Sequence, residues 1–233
     1  MPTINIYLAR HGQTAANAEA ILQGSRTNPP LNECGVKQAS ALAGAMENED
    51  LDWIVTSGLE RAIETANLVA KHHKDASFLS DARLNEISWG DLDGARFADI
   101  KPVVDKVVSQ WKNGDYDARI NNGESANDGK ARIVAAFADI LRVARERKYR
   151  NLFICIHGRI MRVIMAALVN KDLSKMQHFS HTNCCYHQIQ VDLDDDPAAS
   201  INPEKLTFKP IRIDVRDHLA NLAKAEPSIC SGL

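Results

Sequence analysis

The sequence lacks an excess of charge of either sign. Its 233 residues contain 28 Lys and Arg against 30 Asp and Glu, which gives a formal net charge of −2. No global basic field therefore favours binding to nucleic acid or to an anionic membrane, and we expect neither as a partner. Any site for an anion has to be local.

The sequence also lacks a regular cysteine pattern. Its cysteines are odd in number and scattered, at Cys34, Cys155, Cys184, Cys185 and Cys230. This spacing fits neither a disulfide framework nor a C-x-x-C metal site. It favours a reducing compartment.

No segment is typical of a leader or of a membrane span. The N-terminus has no basic leader, and its apolar run is interrupted by Arg10. The most apolar later segment, residues 160–169, contains Arg162 and is too short to cross a bilayer. We therefore expect a cytoplasmic protein. The C-terminal Ser231-Gly232-Leu233 is similar to a peroxisomal address but lacks the basic middle residue.

What the sequence does contain is an alternation of short apolar strands and amphipathic helices. The pattern predicts strands at 3–9, 52–56, 76–80, 151–156, 186–191 and 206–213, and helices that include 14–22, 32–46, 97–111, 125–149 and 159–169. Such alternation indicates an α/β fold, a three-layer α/β/α sandwich with a mostly parallel central sheet. With 45% hydrophobic residues the chain can bury a sizeable core, and we expect a single domain over residues 1–233.

Two of the predicted strands end in histidine followed by glycine. The first leads into Arg10-His11-Gly12 and the fourth into His157-Gly158. Because parallel strands end at the same edge of a sheet, both histidines are expected there. Arg61 lies in the first turn of a helix after the second strand, where free N–H groups favour anions. Two guanidinium groups and an imidazole could bind a phosphoryl group without a metal or other cofactor, and His11 could attack its phosphorus.

An aperiodic loop at residues 81–94 contains the candidate general acid. Loops of this length in compact domains are often functional. Glu86 would give a proton to the leaving alkoxide and would then activate the water that hydrolyses the phosphohistidine. Asp81, Asp91 and Asp93 in the same loop compete for this role.

These residues resemble the signature of the histidine phosphatase superfamily, in the branch that includes cofactor-dependent phosphoglycerate mutase and the bisphosphatase domain acting on fructose 2,6-bisphosphate. The matching stretches cover nearly the whole chain and comprise residues 8–14, Asn17, 22–24, 57–66, 84–86, 89–94, 123–125 and His157-Gly158.

The resemblance implies a phosphoglycerate mutase-like fold and a phosphohistidine on His11. It implies phosphate contacts from Arg10, Arg61 and His157, with Glu86 as proton donor. Substrate contacts are implied for Asn17 and Gln23, and we place Gly24 and Gly158 beside them. Asn17 and Gln23 could instead be polar residues at a helix end.

Two departures from the family pattern bear on activity. Arg159 follows His157-Gly158 where many relatives have a second glycine, and residues 87–124 lack the adjacent arginine pair that the family's mutases carry there. We therefore expect a phosphatase that releases inorganic phosphate from a small metabolite such as a sugar phosphate. The alternatives are a cofactor-dependent phosphoglycerate mutase and a non-catalytic protein that binds phosphorylated ligands. Arg159 and Arg162 either hold a second anionic group or make surface contacts, and the sequence names neither the substrate nor the oligomeric state.

Overall fold

A computed structural model describes residues 2–194, 196 and 198–225. The described residues form a six-stranded sheet in the order β3-β2-β4-β1-β5-β6. Its strands are β1 (Thr3–Arg10), β2 (Trp53–Thr56), β3 (Ser77–Ser80), β4 (Asn151–Ile156), β5 (Tyr186–Asp192) and β6 (Phe208–Val215). The first four strands are parallel, whereas β5 pairs antiparallel with β1 and β6 antiparallel with β5. The prediction of an α/β fold with a mostly parallel sheet is confirmed.

Helices cover both faces of this sheet. They are α1 (Ala15–Ala18), α2 (Glu33–Met46), α3 (Glu60–Ala70), α4 (Phe97–Lys112), α5 (Ala126–Arg147), α6 (Gly158–Ile164) and α7 (Ala220–Ala225). Two helix starts follow the capping expected of their sequences. Asn32 accepts a hydrogen bond from the Gly35 amide at 2.8 Å before α2, and Ser125 forms a reciprocal capping box with Asp128 before α5.

The alternation of side chains along β1 divides the core into two clusters. Ile6 and Leu8 pack on the face covered by α4, α5 and α6, whereas Tyr7 and Ala9 pack on the face covered by α2 and α3. β4 lies between β1 and β2, and its last five residues are buried. This central position explains its nearly continuous apolar sequence.

The register of β1 against β4 positions the site. Arg10 pairs with Ile156, and the His11 amide donates to the Ile156 carbonyl at 3.0 Å. The residues that follow the two strands, His11 and His157, are therefore neighbours at the carboxyl edge of the sheet.

Two predicted helices differ from the observed ones. The helix expected at 14–22 is only the four-residue α1, because Ala20 adopts a left-handed φ of 53° and the Leu22 amide then bonds to the Ala95 carbonyl at 2.9 Å. The helix expected at 159–169 is α6 followed by a π-helical turn, Met165–Val169.

Four of the cysteines lie among the described residues. Cys34 is disulfide-bonded, which the scattered spacing of the cysteines did not indicate, whereas Cys155, Cys184 and Cys185 carry free thiols. Among the described residues no helix is both long and apolar enough to cross a membrane. The terminal Ser231-Gly232-Leu233 lies outside the described residues.

Candidate active site

His11 follows β1 and is only 3% exposed. Its Nδ1 lies 2.7 Å from the carbonyl oxygen of Gly12. Because a carbonyl oxygen can only accept, Nδ1 carries the ring proton and Nε2 keeps its lone pair. Burial, and then the positive charges of Arg61 and Arg10, hold the pKa of His11 well below its ordinary value. The ring is therefore neutral and has a nucleophilic Nε2.

The backbone at Gly12 fixes the position of this ring. The Gly12 amide donates to Thr65 Oγ1 at 3.0 Å. A Cβ added to Gly12 would lie 2.5 Å from the carbonyl oxygen of Gly35, closer than real Cβ contacts. The start of α2 therefore approaches the turn so closely that only glycine fits there.

His157 lies beside His11, with 5.1 Å between the ring centroids. Its Nε2 is 2.6 Å from Ser57 Oγ, and its Nδ1 is buried with no hydrogen-bond partner among the described residues. Burial, and then nearby Arg61, hold the pKa of His157 well below its ordinary value. This ring is neutral as well.

Arg10 and Arg61 bring two guanidinium groups to the histidines. Arg61 is fully buried and donates through Nη1 to the Thr27 carbonyl at 2.9 Å and through Nη2 to the Gly24 carbonyl at 3.3 Å. Arg10 donates through Nη1 to the His181 carbonyl. The Nε atoms of both arginines are buried without a hydrogen-bond partner among the described residues. Burial lowers the pKa of Arg61 to about 10, so it stays protonated at neutral pH.

Glu86 is held at the N-terminus of α6. Its Oε1 accepts from the amides of Ile87 at 2.9 Å and Ile160 at 2.8 Å, and its Oε2 accepts from the Arg159 amide at 2.9 Å. The residue is 7% exposed. Three backbone donors thus fix both carboxylate oxygens beside the helix that follows His157.

A cavity of about 280 Å³ joins these groups. Six of the predicted site residues line it: Arg10, His11, Asn17, Gln23, Glu86 and Gly158. The other three, Arg61, His157 and Gly24, are not part of its lining. His157 packs against the ring of His11, and Arg61 donates to the Gly24 carbonyl. The structure thus brings the predicted residues to one place.

One known protein family matches most of the chain. The model of the histidine phosphatase superfamily, branch 1, matches residues 6–202. The chain belongs to this superfamily.

Proteins similar to this chain are named for different activities. A probable phosphoglycerate mutase, GpmB, of Yersinia pestis (strain Pestoides F) is 28% identical over 189 residues, which is 80% of this chain and 84% of that protein. An alpha-ribazole phosphatase from Shigella flexneri is 25% identical, with a TM-score of 0.71 over 91% of this chain and 96% of that one. A mycobacterial glucosyl-3-phosphoglycerate phosphatase is 24% identical, with a TM-score of 0.77 over 92% of this chain and 100% of that one. That phosphatase was also solved with VO3 and with inorganic phosphate.

The acids that compete with Glu86 in this member of the superfamily are engaged elsewhere. Asp81 forms an ion pair with Arg83 at 2.7 Å, and Asp91 accepts from Asn122 Nδ2 at 3.0 Å. Asp93 accepts from the Trp89 amide at 3.2 Å. Within the described part of the chain, none of the three lines the cavity that contains His11.

Asn17 and Gln23 lie in the cavity wall, and both also make local contacts. Asn17 Oδ1 accepts from the Thr14 amide at 3.2 Å as part of the capping box of α1. Gln23 Oε1 accepts from Thr14 Oγ1 at 2.9 Å, and Gln23 Nε2 is buried without a partner among the described residues. Asn17 therefore caps a helix as well as lining the cavity, whereas Gln23 offers an unused donor.

His181 is a cavity residue that the sequence did not reveal. Its carbonyl accepts from Arg10, and its Nδ1 lies 3.1 Å from Arg162 Nη2. Since arginine only donates, His181 Nδ1 accepts and the ring proton lies on Nε2. His181 belongs to the loop 179–185 before β5, which has no periodicity, and only the approach of this loop to β1 in the fold brings it here.

Arg132 on α5 clamps the loop that carries Glu86. It donates through Nη1 to the carbonyls of Arg83 and Asn85, both at 2.7 Å, and through Nη2 to the Glu86 carbonyl at 3.1 Å. Its Nε also pairs with Glu124 Oε1 at 2.8 Å. The backbone of Glu86 is therefore fixed by a side chain that does not line the cavity.

Replacing this clamp is expected to slow turnover more than it weakens substrate binding. In Arg132→Gln the loop loses its bonds to three carbonyls, and displacement of a catalytic group by about 1 Å costs about 10²-fold in rate. We expect kcat to fall by that order, with KM changed less than threefold. Arg142→Gln, an exposed change on the same helix, is the matched control. An unchanged kcat in Arg132→Gln would show that the clamp does not position Glu86.

The lowered pKa values of three histidines predict that the free energy of unfolding falls in mild acid. The pKa values of His11 and His157 are held well below 6.5, and that of His181 is lowered to about 2, in each case mainly by burial. Below pH 6.5 the unfolded chain binds protons at these residues and the folded protein does not. The free energy of unfolding should therefore fall as the pH drops from 6.5 to 5, by up to about 1.4 kcal/mol per pH unit for each histidine. Urea unfolding at pH 7.5, 6.5 and 5.5 measures this fall, and equal stability at all three would contradict it.

Proposed function

We propose that this member of the histidine phosphatase superfamily hydrolyses phosphomonoesters of small metabolites, such as sugar phosphates, through a phosphohistidine on His11 and without a metal. One observation carries the proposal. A neutral histidine with its Nε2 lone pair free stands in one cavity with Glu86, beside the Nε atoms of Arg10 and Arg61 and the Nδ1 of His157, which are buried without a hydrogen-bond partner among the described residues. The two guanidinium groups suit a phosphoryl group, whose negative charge is spread over three oxygens in the transition state.

In the proposed first step His11 Nε2 attacks phosphorus and the bond from phosphorus to the ester oxygen breaks. Glu86, in its acid form, gives its proton to that oxygen, which leaves as an alcohol. The phosphorylated ring is cationic, and its Nδ1–H bond to the Gly12 carbonyl stabilises it. Arg10, Arg61 and His157 hold the phosphoryl oxygens.

In the second step water attacks the phosphohistidine. The Glu86 carboxylate takes a proton from the water, the bond from phosphorus to Nε2 breaks, and inorganic phosphate leaves. The enzyme returns to its starting state with Glu86 protonated. Asn17 and Gln23 orient the ester from the cavity wall, and Gly158 lets the backbone approach it. Gly24 acts from outside the wall, where its carbonyl accepts from Arg61. In this proposal the whole chain acts as one domain.

A panel of phosphate esters tests the activity. We expect release of phosphate from at least one small sugar phosphate or related ester in the presence of EDTA, with inhibition by vanadate, which imitates the five-coordinate phosphorus. Failure to hydrolyse any ester, or activity only after a divalent metal is added, would contradict the proposal.

A phosphoglycerate mutase is the second candidate, and the relative named a probable phosphoglycerate mutase supports it. A mutase must transfer the phosphoryl group from His11 back to the substrate instead of to water. The absence of an adjacent arginine pair in residues 87–124 speaks against it. Interconversion of 2- and 3-phosphoglycerate, stimulated by the bisphosphate and faster than phosphate release, would favour the mutase.

A further inference from the structure

Arg159 stands in the cavity wall next to the proposed phosphoryl site. It is the second residue of α6, directly after Gly158, and its side chain lines the same cavity as His11 and Glu86. Its guanidinium carbon lies 5.6 Å from the ring centroid of Trp89, which is also part of the wall. Stacking on an indole ring fixes the plane of a guanidinium group. The N–H groups at its edge remain available to donate to a carboxylate or a phosphate.

No carboxylate neutralises this arginine. Among the described residues neither Arg159 nor its neighbour Arg162 forms an ion pair, and the polar contact of the Arg159 guanidinium is a long one, 3.4 Å to Gln177 Oε1. Glu86 does not pair with either arginine, because its two oxygens already accept hydrogen bonds from three backbone amides. Burial, and then Arg162, lower the pKa of Arg159 to about 10, so the group is still charged at neutral pH. A cation sheltered from water gains stability when an anion pairs with it.

Arg162 has a different set of contacts. It donates through Nη1 to Gln177 Oε1 at 2.8 Å and through Nη2 to His181 Nδ1 at 3.1 Å. Both donors therefore hold neighbouring side chains. Of the two arginines, Arg159 is the one that lines the cavity.

The phosphoryl group does not account for Arg159. Its oxygens already have donors from Arg10, Arg61 and His157, which lie around His11. Arg159 instead packs against Trp89, and its amide donates to Glu86 Oε2 at 2.9 Å. In the proposed reaction Glu86 protonates the leaving oxygen, so Arg159 lies on the side of the leaving group.

We propose that Arg159 forms a second anion subsite, so that the substrate is a phosphomonoester with another anionic group, a carboxylate or a second phosphate, on its alcohol part. Arg162 is a positioning residue that holds Gln177 and His181. This inference rests on the proposed function, because it describes the substrate of the same site.

Three esters of a two-carbon alcohol test the subsite. They are 2-hydroxyethyl phosphate, which has no second charge, phosphoglycolate, which adds a carboxylate, and ethane-1,2-diyl bisphosphate. We expect kcat/KM to be at least about tenfold higher for one of the charged esters than for 2-hydroxyethyl phosphate, since a charge-assisted bidentate contact has that strength. The better of the two charged esters identifies the anion. In Arg159→Gln the preference should disappear, and Arg159→Lys should keep part of it.

The control is Arg147→Gln, the same substitution at an exposed residue of α5. It should keep the full preference. An enzyme without preference for either charged ester, or a preference that survives in Arg159→Gln, would overturn the subsite even if hydrolysis itself is confirmed.

Binding of phosphonates separates this inference from failure of the proposed function, because it needs no turnover. Calorimetry would compare phosphonoacetate with ethylphosphonate, and 3-phosphonopropionate with propylphosphonate. In at least one pair, we expect the carboxylate member to bind the unmodified chain about tenfold more tightly than the other member does. The two members of that pair should bind Arg159→Gln with equal affinity. Equal binding of both members to the unmodified chain would contradict the subsite, whether or not any ester is hydrolysed.

Discussion

Replacing His11 by alanine is expected to lower kcat by at least about 10⁴-fold, because removal of a covalent nucleophile leaves only binding and electrostatic stabilisation. The ring supplies the atom that attacks the ester in the first step of the proposed reaction. The donors of Arg10, Arg61 and His157 do not depend on it, so vanadate should still bind to His11→Ala. Phosphate release from the best ester of the panel, together with calorimetry of vanadate, measures both effects.

The exposed residue His72 provides the matched control. His72→Ala should keep full activity and the fold. If His11→Ala kept more than a few per cent of the activity, the nucleophile would be another group. If neither the unmodified chain nor the variant turned over any ester while both bound phosphate, the chain would be a non-catalytic protein that binds phosphorylated ligands.

Replacing Glu86 by glutamine is expected to lower kcat by about 10²- to 10⁴-fold for alkyl phosphates, because their leaving oxygen needs a proton. For 4-nitrophenyl phosphate, whose leaving group departs without one, the first step should be much less affected. Water attack on the phosphohistidine still needs the Glu86 carboxylate. The variant should therefore release one equivalent of nitrophenol in a rapid burst and then turn over slowly.

Stopped-flow absorbance on Glu86→Gln measures that burst, and Glu47→Gln at an exposed glutamate is the control. Equal losses for alkyl and nitrophenyl esters with no burst would show that Glu86 does not transfer the proton. Unchanged rates for both esters would assign the acid role to a different residue.

Residues at the ends of regular strands could be predicted from the sequence. Arg10-His11-Gly12 and His157-Gly158 follow strands whose apolar pattern is clear, and parallel strands deliver both histidines to one edge. The sequence indicated that the aperiodic loop supplies Glu86. It did not indicate which groups hold the Glu86 carboxylate in place. The three amides that hold the carboxylate come from Ile87 and from α6, and only the packed fold brings them together.

Other features depend on contacts between distant segments and leave no periodic signal. His181 reaches Arg10 because β5 pairs with β1, which brings the loop before β5 to the site. The short α1 ends because residues 20–22 bond to the loop before α4 instead of continuing the helix. The orientation of Arg159 over Trp89, rather than out to solvent, is likewise decided by tertiary packing.

The central claim is that catalysis passes through a phosphoryl group on His11 Nε2, and trapping that intermediate tests it most directly. Brief reaction with a ³²P-labelled ester, quenching in alkali and peptide mapping by mass spectrometry would locate the label. Phosphohistidine survives alkali and is lost in acid, which distinguishes it from phosphoserine and acyl phosphate. The account predicts alkali-stable, acid-labile label on the peptide that contains His11, with more of it in Glu86→Gln. Label on any other residue, or steady turnover with no labelled protein in either chain, would contradict it.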